Sequence, residues 1–290
     1  MVKLYPDTTV SIVTHGSPVD ELRRAAECVL RSPRVGRLEI LDNSGTDLPD
    51  RYEECLSEYG EHIRIRRIPN DGYGAGHNVA LRESLDDDVT YHLVMNADVY
   101  WDGDVISRLC DVMDQRPEIG QIMPKVYYPD GALQLTARRL PTPLDLFAKR
   151  FLPSSFTRRR IGRYLLERAN HDVEINCPYL LGSFMLLRTD ALRDAGIFDE
   201  RFFMYPEDID LTRRIHRKYK TLHYPGVNII HAHAAASRKS LRMLRIHVVN
   251  MIRYFNKWGW LRDRERREMN KALEAGIELL PLSAIPPSRG

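Results

Sequence analysis

The segment Tyr91-His92-Leu93-Val94-Met95-Asn96-Ala97-Asp98 decides which fold the sequence predicts. Its first five residues form a mostly apolar run, which Asn96 and Asp98 end abruptly. A continuous apolar run of this length is typical of a strand that is buried on both faces in the middle of a parallel sheet. Because open α/β sheets bind ligands at the carboxyl ends of such strands, Asn96 and Asp98 are candidate ligand contacts.

The two polar residues also have the chemistry of a cation site. A carboxylate beside an amide oxygen suits a divalent cation that also holds substrate phosphates. Asn96 and Asp98 are two positions apart, so in an extended chain their side chains would point the same way. The alternative that this stretch leaves open is a polar turn that closes a strand.

Strands and helices alternate on both sides of this segment. Strands are predicted at 10–14, 38–41, 63–68, 119–127, 179–187 and 227–230, and helices from 18, 51, 78, 105, 206 and 238, with Thr189 capping a short helix that ends at Gly196. This order predicts an α/β fold with right-handed crossovers and a mostly parallel sheet. The 290 residues, 43% of them hydrophobic, suffice for one large α/β domain or two small ones.

The composition indicates in which compartment the protein works and which classes of partner it binds. The four cysteines stand far apart, which predicts buried free thiols rather than a disulfide framework or a zinc site. No stretch approaches the roughly 20 apolar residues of a membrane span, and the N-terminus lacks a signal-peptide pattern. We therefore expect a soluble cytoplasmic protein, or one attached to the inner face of the membrane, with no nucleic acid partner.

Two basic segments suggest an anionic partner. Residues 138–168 contain nine Lys/Arg against two Asp/Glu, and residues 237–271 contain eleven against three. Such segments indicate either a phosphate-bearing substrate or a membrane surface, and solvated helix faces are the alternative. The first segment holds Pro141, Pro143 and Pro153 and has no clean period, which predicts a long excursion of the kind that forms acceptor lids.

The glycine-rich loop 70–78, NDGYGAGHN, argues against a nicotinamide dehydrogenase. Its glycines do not follow the G-x-G-x-x-G spacing, and the loop comes after the third strand instead of the first. Three glycines at a helix start can still bring backbone N–H groups close to a phosphate or a ribose. Asn78 could add a side-chain donor.

Three further features are candidates for chemistry. Glu207, Asp208 and Asp210 fall in the first turn of a helix, where they complement the helix dipole or supply a general base. His231 and His233 end a strand, where one imidazole can enter a site or both can be structural. The helix at 238–257 has one apolar and one basic side and is followed by Trp258 and Trp260. This pattern is typical of a helix on an anionic membrane, and packing on the body is the alternative.

Taken together, these stretches resemble the inverting GT-A glycosyltransferases of family two over most of residues 9–260. The matching motifs are the strand end 11–16, the turn Asp42-Asn43-Ser44-Gly45, the loop 70–78 in its rhamnosyltransferase-like form, the runs 182–188 and 196–211, and a final His followed by Ser237. Asn96-Ala97-Asp98 departs from the family's D-x-D pattern by an amide at its first position.

The resemblance implies a GT-A domain over 1–237, with residues 138–170 as a candidate acceptor lid, a helical extension over 238–280 and a disordered tail over 281–290. It implies transfer of a sugar, with dTDP-L-rhamnose as the favoured donor, to a hydroxyl of a saccharide or lipid-linked saccharide with inversion, as in O-antigen and other cell-surface polysaccharide synthesis. Two alternatives stay open: a UDP-hexose or N-acetylhexosamine transferase, and a non-catalytic subunit that binds a nucleotide sugar. The oligomeric state is also open.

The same resemblance assigns roles to residues of this chain. Asp208 would be the catalytic base. Mg²⁺ or Mn²⁺ would be held by Asp98 with His231 or, slightly favoured by its spacing to Ser237, His233. The acceptor would contact Gly182, Ser183, Tyr205 and Glu207, and the nucleotide-sugar donor would contact Thr14, His15, Gly16, Asp42, Asn70, Gly72, Gly76, Asn78, Asn96, Ala97 and Asp98.

Overall fold

A mixed sheet of ten strands organises the computed structural model of this chain, which describes residues 6–45, 48–146, 154–232 and 241–281. Its strands are β1 (Thr8–Thr14), β2 (Val35–Asp42), β3 (Ile63–Arg67), β4 (Tyr91–Met95), β5 (Val99–Tyr100), β6 (Ile119–Tyr127), β7 (Leu133–Gln134), β9 (Ile175–Asn176), β11 (Phe184–Arg188) and β12 (Lys220–His231). Two short strands, β8 (Ala137–Arg138) and β10 (Tyr179–Leu180), pair with each other.

Helices cover both faces of this sheet. In chain order they are α1 (Val19–Leu30), α2 (Leu48–Leu56), α3 (Tyr73–Asp86), α4 (Val105–Gln115), α5 (Ser154–Tyr164), α6 (Thr189–Ala195), α7 (Glu207–His216), α8 (Leu241–Trp258) and α9 (Arg264–Gly276). The predicted α/β class is therefore confirmed. None of these helices, within the part of the chain that the structure describes, is both long enough and apolar enough to cross a membrane.

The central strand β4 is buried on both faces, as its apolar run predicts. All five of its residues are buried, and Leu93 and Val94 belong to two different hydrophobic clusters. The strand pairs with β1 on one side and with β11 on the other. Burial on both faces removes the polar alternation that an exposed strand would need.

The sheet is less parallel than the alternating pattern predicts. The order is β3-β2-β1-β4-β11-β6-β12-β5, and β11 runs antiparallel to both of its neighbours. The predicted single strand at 179–187 is also wrong, because the chain forms β10, turns at Leu181–Ser183 and only then enters β11. The apolar run is continuous since both strands are buried, so hydrophobicity alone does not show the break.

Reversal of β11 brings the polar ends of both halves of the sheet to one edge. Phe184, the first residue of β11, pairs with Met95, the last residue of β4. Parallel pairing aligns Thr14 with Asp42 on the neighbouring strands, and His231 at the end of β12 pairs with Val99. Residues that follow β1, β2 and β4, precede β11 and end β12 therefore share one edge.

Two local expectations need correction. Thr189 does not cap α6, since Arg188 occupies the N-cap and the Thr189 hydroxyl donates to the carbonyl of Val89 at 2.6 Å. Cys28, Cys110 and Cys177 are buried free thiols, whereas Cys55 is only half-buried. Gly196 does end α6 in the left-handed conformation, with a φ of 77°.

The C-terminal helices pack on the body of the protein. Tyr254 and Phe255 of α8 are buried in one cluster with Phe202 and Ile209. At the start of α9, both carboxylate oxygens of Asp263 lie 2.7 Å from guanidinium nitrogens of Arg213 on α7, and both side chains are buried. Residues 282–290 and the segments 147–153 and 233–240 lie outside the described residues.

Asp263→Ala should lower the free energy of unfolding by about 3 kcal/mol, because it removes two buried hydrogen bonds of Arg213 and leaves only the partly exposed Glu265 to balance its charge. Chemical denaturation measures this loss. Arg264→Ala is the matched control, since its ion pair with Glu268 is exposed to solvent and should add nothing measurable. Equal stability of the two variants would mean that α9 does not belong to the cooperative unit.

Candidate active site

The hydroxyl of Tyr73 lies at the centre of the edge described above. It is 2.8 Å from Asn96 Oδ1 and 3.0 Å from the carbonyl oxygen of Gly182. Burial raises the pKa of Tyr73 well above its usual value, and the nearby charges of Glu207, Asp208 and Asp98 raise it further. A neutral tyrosine hydroxyl therefore joins the predicted donor side to the predicted acceptor side.

The side chains of Asn96 and Asp98 both approach one imidazole nitrogen of His231. His231 Nε2 is 3.4 Å from Asp98 Oδ1 and 3.4 Å from Asn96 Nδ2. The predicted extended chain is wrong here, because Ala97 and Asp98 form a turn. On the other side of the ring, His231 Nδ1 is 2.8 Å from Gln134 Oε1. Since an amide oxygen only accepts, Nδ1 carries a hydrogen in this contact, and Nε2 is the nitrogen that faces Asp98.

An imidazole nitrogen beside a carboxylate is a donor set that fits a divalent cation, and Gln134 supplies the outer hydrogen bond that metal-binding histidines commonly have. Within the described ranges no group of three or more His, Cys, Asp or Glu side chains could hold a metal ion by itself. A bound diphosphate could supply further ligand oxygens to a cation here. His233, the other candidate ligand, lies outside the described residues.

Asp208 is held at the start of α7 by hydrogen bonds to both of its oxygens. Ile209 N–H donates to Oδ1 at 2.8 Å, and Gly182 N–H donates to Oδ2 at 3.0 Å. Burial raises the pKa of Asp208 to about 6, while these N–H groups and the charge of Arg138 oppose the rise. At neutral pH this carboxylate is ionised but retains enough basicity to accept a proton.

Glu207 differs from its neighbour in hydrogen bonding. Burial and the charge of Asp208 raise the pKa of Glu207 well above its usual value. Its Oε2 is buried, as is the Ser183 hydroxyl, and neither has a hydrogen-bond partner within the described residues. Two such groups beside Asp208 can be satisfied by a polar ligand.

Gly182 owes its identity to this arrangement. A Cβ atom at Gly182 would stand 2.9 Å from the Cβ of Asp208, closer than side chains pack. The glycine therefore lets its own N–H reach the carboxylate. Tyr205, the remaining predicted acceptor contact, has a φ of 90° and packs edge-on against His247 of α8, with ring centroids 4.9 Å apart.

The donor side contains a second unsatisfied carboxylate oxygen. Asp42 is buried at the end of β2, and its Oδ2 accepts hydrogen bonds from the N–H and hydroxyl of Ser44. Its Oδ1 has no partner in the part of the chain that is described. Such an oxygen suits an N–H of a nucleobase or a hydroxyl of a ribose.

The other predicted donor residues divide into two groups. In the first group, Thr14 Oγ1 accepts a hydrogen bond from the N–H of Ser17, and His15 Nδ1 lies 2.9 Å from Asn43 Oδ1. Gly16 has a φ of 76°, and the side chain of Asn70 is exposed. Thr14 pairs with Asp42, and His15 and Gly16 follow Thr14 in the chain, so all four residues stay candidates for donor contact. Ala97 is buried between Asn96 and Asp98.

Gly72, Gly76 and Asn78 have structural roles that the sequence did not reveal. A Cβ at Gly72 would collide with the backbone of Phe203, and one at Gly76 would collide with Val13. The fully buried amide of Asn78 bonds to the backbone of Phe198 on both its oxygen and its nitrogen. These three residues pack the loop against the body, and their contact with the donor stays a prediction.

Sequence reasoning missed four side chains of this site: Tyr73, Gln134, Arg138 and Tyr179. The Tyr179 hydroxyl lies 3.4 Å from Asp208 Oδ2, and Arg138 Nη1 lies 3.4 Å from the Tyr179 oxygen. Tyr73 stands inside the glycine-rich loop and could have been found there. The others lie in strands of only two residues, and their side-chain partners His231, Tyr179 and Asp208 are distant in the chain, so no local pattern marks them.

Comparison with known proteins places this geometry in context. Residues 9–196 match the sequence model described as Glycosyl transferase family 2. The N-acetylglucosaminyl-diphospho-decaprenol L-rhamnosyltransferase of Mycobacterium tuberculosis is 26% identical, over 94% of this chain and 92% of the relative. The rhamnosyltransferase WbbL of Escherichia coli is 28% identical, over 88% of this chain and 95% of the relative.

Solved structures show the same architecture. The mannosyltransferase PcManGT from Pyrobaculum calidifontis, solved in complex with GDP-Man and Mn²⁺, superposes with a TM-score of 0.54. It is 14% identical, and the match covers 94% of this chain and 75% of that one. This likeness establishes the fold as that of the GT-A glycosyltransferases.

Proposed function

Because this chain belongs to glycosyl transferase family 2 and is a glycosyltransferase, we propose that it moves L-rhamnose from a nucleoside diphosphate to an acceptor hydroxyl with inversion. The observation that carries this proposal is the position of Asp208. Its buried carboxylate shares one sheet edge with the Asn96–Asp98 turn, and Tyr73 joins the two. The two relatives above, both named rhamnosyltransferases, support the donor sugar.

In the proposed reaction, Asp208 accepts the proton of the acceptor hydroxyl. The acceptor oxygen then forms a bond to the anomeric carbon, while the bond from that carbon to the diphosphate oxygen breaks. The electron pair leaves with the nucleoside diphosphate, and attack from the opposite face inverts the anomeric centre. Asp42 and the residues near it would bind the nucleoside, and Ser183 and Glu207 would orient the acceptor.

A divalent cation, Mg²⁺ or Mn²⁺, would be held by Asp98 and His231 in the proposed site. When bound, it supplies positive charge that offsets the charge developing on the leaving diphosphate. Asn96 brings one negative charge fewer than the aspartate of D-x-D, so cation binding should depend on the nucleotide. Gln134 would keep the His231 lone pair directed at the cation.

Asp208→Asn should lower the rate of transfer by roughly 10²–10⁴-fold and leave donor binding nearly unchanged, because the amide cannot accept a proton. In the wild type, the rate should rise with pH through about 6 and then level off, since burial raises the pKa of this base to about 6 and the ionised form is active. Asp190→Asn, an exposed first-turn carboxylate on α6, is the control.

Release of nucleoside diphosphate from dTDP-L-rhamnose, with and without an N-acetylglucosaminyl diphosphate lipid, measures this rate. Near-normal turnover of Asp208→Asn would move the base to Glu207 or Asp210. A wild-type protein that binds dTDP-L-rhamnose without turnover on any acceptor would be a non-catalytic subunit. Turnover with UDP-hexoses alone would replace rhamnose as the donor sugar.

His231→Ala should greatly weaken Mn²⁺ binding in the presence of dTDP, and Gln134→Leu should weaken it by roughly 10–100-fold because the imidazole is no longer oriented. Electron paramagnetic resonance of free Mn²⁺ measures both losses without turnover. His62→Ala, at an exposed position, is the control. Unchanged affinity in His231→Ala together with a loss in His233→Ala would assign the ligand to His233.

We further propose that one face of α8 and the turn after it contact an anionic membrane. Val249, Ile252, Trp260 and Leu261 are exposed large apolar side chains, and Arg242, Arg245 and Arg262 are exposed in the same segment. Apolar side chains flanked by basic ones suit the surface of an anionic bilayer. The Mycobacterium tuberculosis relative is named for a decaprenol-linked acceptor, which favours a lipid-linked acceptor here.

The protein should sediment with anionic liposomes at low salt and less so as salt screens the attraction. Arg242→Glu, Arg245→Glu and Arg262→Glu together should abolish sedimentation without lowering the melting temperature. Arg253 is left unchanged because its Nη1 donates to the carbonyl of Arg201 at 2.6 Å. Wild-type protein that stays in the supernatant at low salt would refute the membrane contact.

A further inference from the structure

The loop from Asp199 to Pro206, which leads into the catalytic helix α7, has an unusual backbone at its end. Tyr205 has a φ of 90°, a conformation that side chains with a Cβ rarely adopt. Such backbone is strained and persists only where surrounding contacts enforce it. Tyr205 lies three residues before the proposed base Asp208, so the enforcing contacts are of functional interest.

Those contacts come from one side of α8. The ring of His247 packs edge-on against Tyr205, and Asn250 Nδ2 donates to the carbonyl of Met204 at 2.9 Å. One turn further, Arg253 donates to the carbonyl of Arg201. Positions 247, 250 and 253 are each three apart and therefore lie on the same side of a helix. Asn250 is buried, so its hydrogen bond is shielded from water.

Residues further along α8 contact the start of the loop and α7. Lys257 Nζ is 2.7 Å from a carboxylate oxygen of Asp199 and 2.7 Å from one of Asp210, and Trp258 Nε1 donates to Asp210 at 2.8 Å. Contacts with α8 therefore stand at both ends of the segment that contains Asp208. On its other side, the loop accepts the N–H of Tyr73 at the carbonyl of Phe203.

We infer that His247 and Asn250 are positioning residues, which act through Tyr205 and Met204 to shape the acceptor side of the site. This inference rests on the proposed function, because it takes Tyr205 as an acceptor contact. The donor contacts lie at the ends of β1, β2 and β4, whereas the contacts of α8 given above fall on the loop 199–206 and on α7. Loss of these α8 contacts should therefore raise the KM for the acceptor and leave the KM for the donor unchanged.

Asn250→Asp tests this inference, because the carboxylate has the size of the amide but cannot donate to the Met204 carbonyl. The KM for an N-acetylglucosaminyl diphosphate lipid should rise roughly tenfold or more, the equivalent of one lost hydrogen bond. The KM for dTDP-L-rhamnose and the pH profile should stay unchanged. Hydrogen exchange of the amides at 201–205 should become faster.

Asn256→Asp is the matched control on the same helix. Asn256 is exposed, and its Oδ1 accepts from Trp260 Nε1, a bond that aspartate keeps. His247→Ala should reproduce the Asn250→Asp result at a half-buried site where folding is at less risk, and His247→Phe should restore the wild-type KM by keeping an aromatic ring against Tyr205.

Two results would overturn the inference. One is an equal rise of both KM values, and the other is exchange at 201–205 that matches the Asn256→Asp control. Wild-type protein that transfers no sugar would refute the proposed function instead, and hydrogen exchange would still decide whether α8 positions the loop.

Discussion

The antiparallel pairing of β11 with β4 is the constraint on which the site depends. Because β11 begins where β4 ends, the turn at Gly182 and Ser183 lies beside Asn96, and Asn96 N–H donates to the Ser183 carbonyl at 3.0 Å. The Gly182 N–H on the same turn reaches Asp208. A parallel strand in this place would begin at the opposite edge and leave the carboxylate of α7 without its backbone donor.

The sequence predicts the parallel half of the fold well because each strand there carries its own signal. The buried run of β4, the polar ends of β1 and β2 and the helix start at Glu207 are all local patterns. Strand direction is not local, and therefore the reversal at Gly182 was missed. The roles of Gly72 and Asn78 were missed for a similar reason, since their partners Phe203 and Phe198 are more than a hundred residues away.

The C-terminal helices show how one segment can carry two patterns of side chains. Apolar residues of α8 such as Tyr254 and Phe255 pack on the body, whereas Val249 and Ile252 stay exposed. The inner row of α8 reaches the loop before α7, and the outer face carries the exposed arginines. A helical period of 3.6 residues places both sets on one element, and the sequence alone did not say which of them is covered.

Burial of Asp208 also sets the stability of the fold against its activity. Its pKa is about 6 in the folded protein, above the usual value of 3.8, so the folded state binds the proton more tightly than the unfolded chain does. This group's contribution to stability is therefore fully present below pH 3.8 and is lost as the pH rises through 6. Over the pH range in which the carboxylate ionises and becomes able to accept a proton, its ionisation lowers the free energy of unfolding.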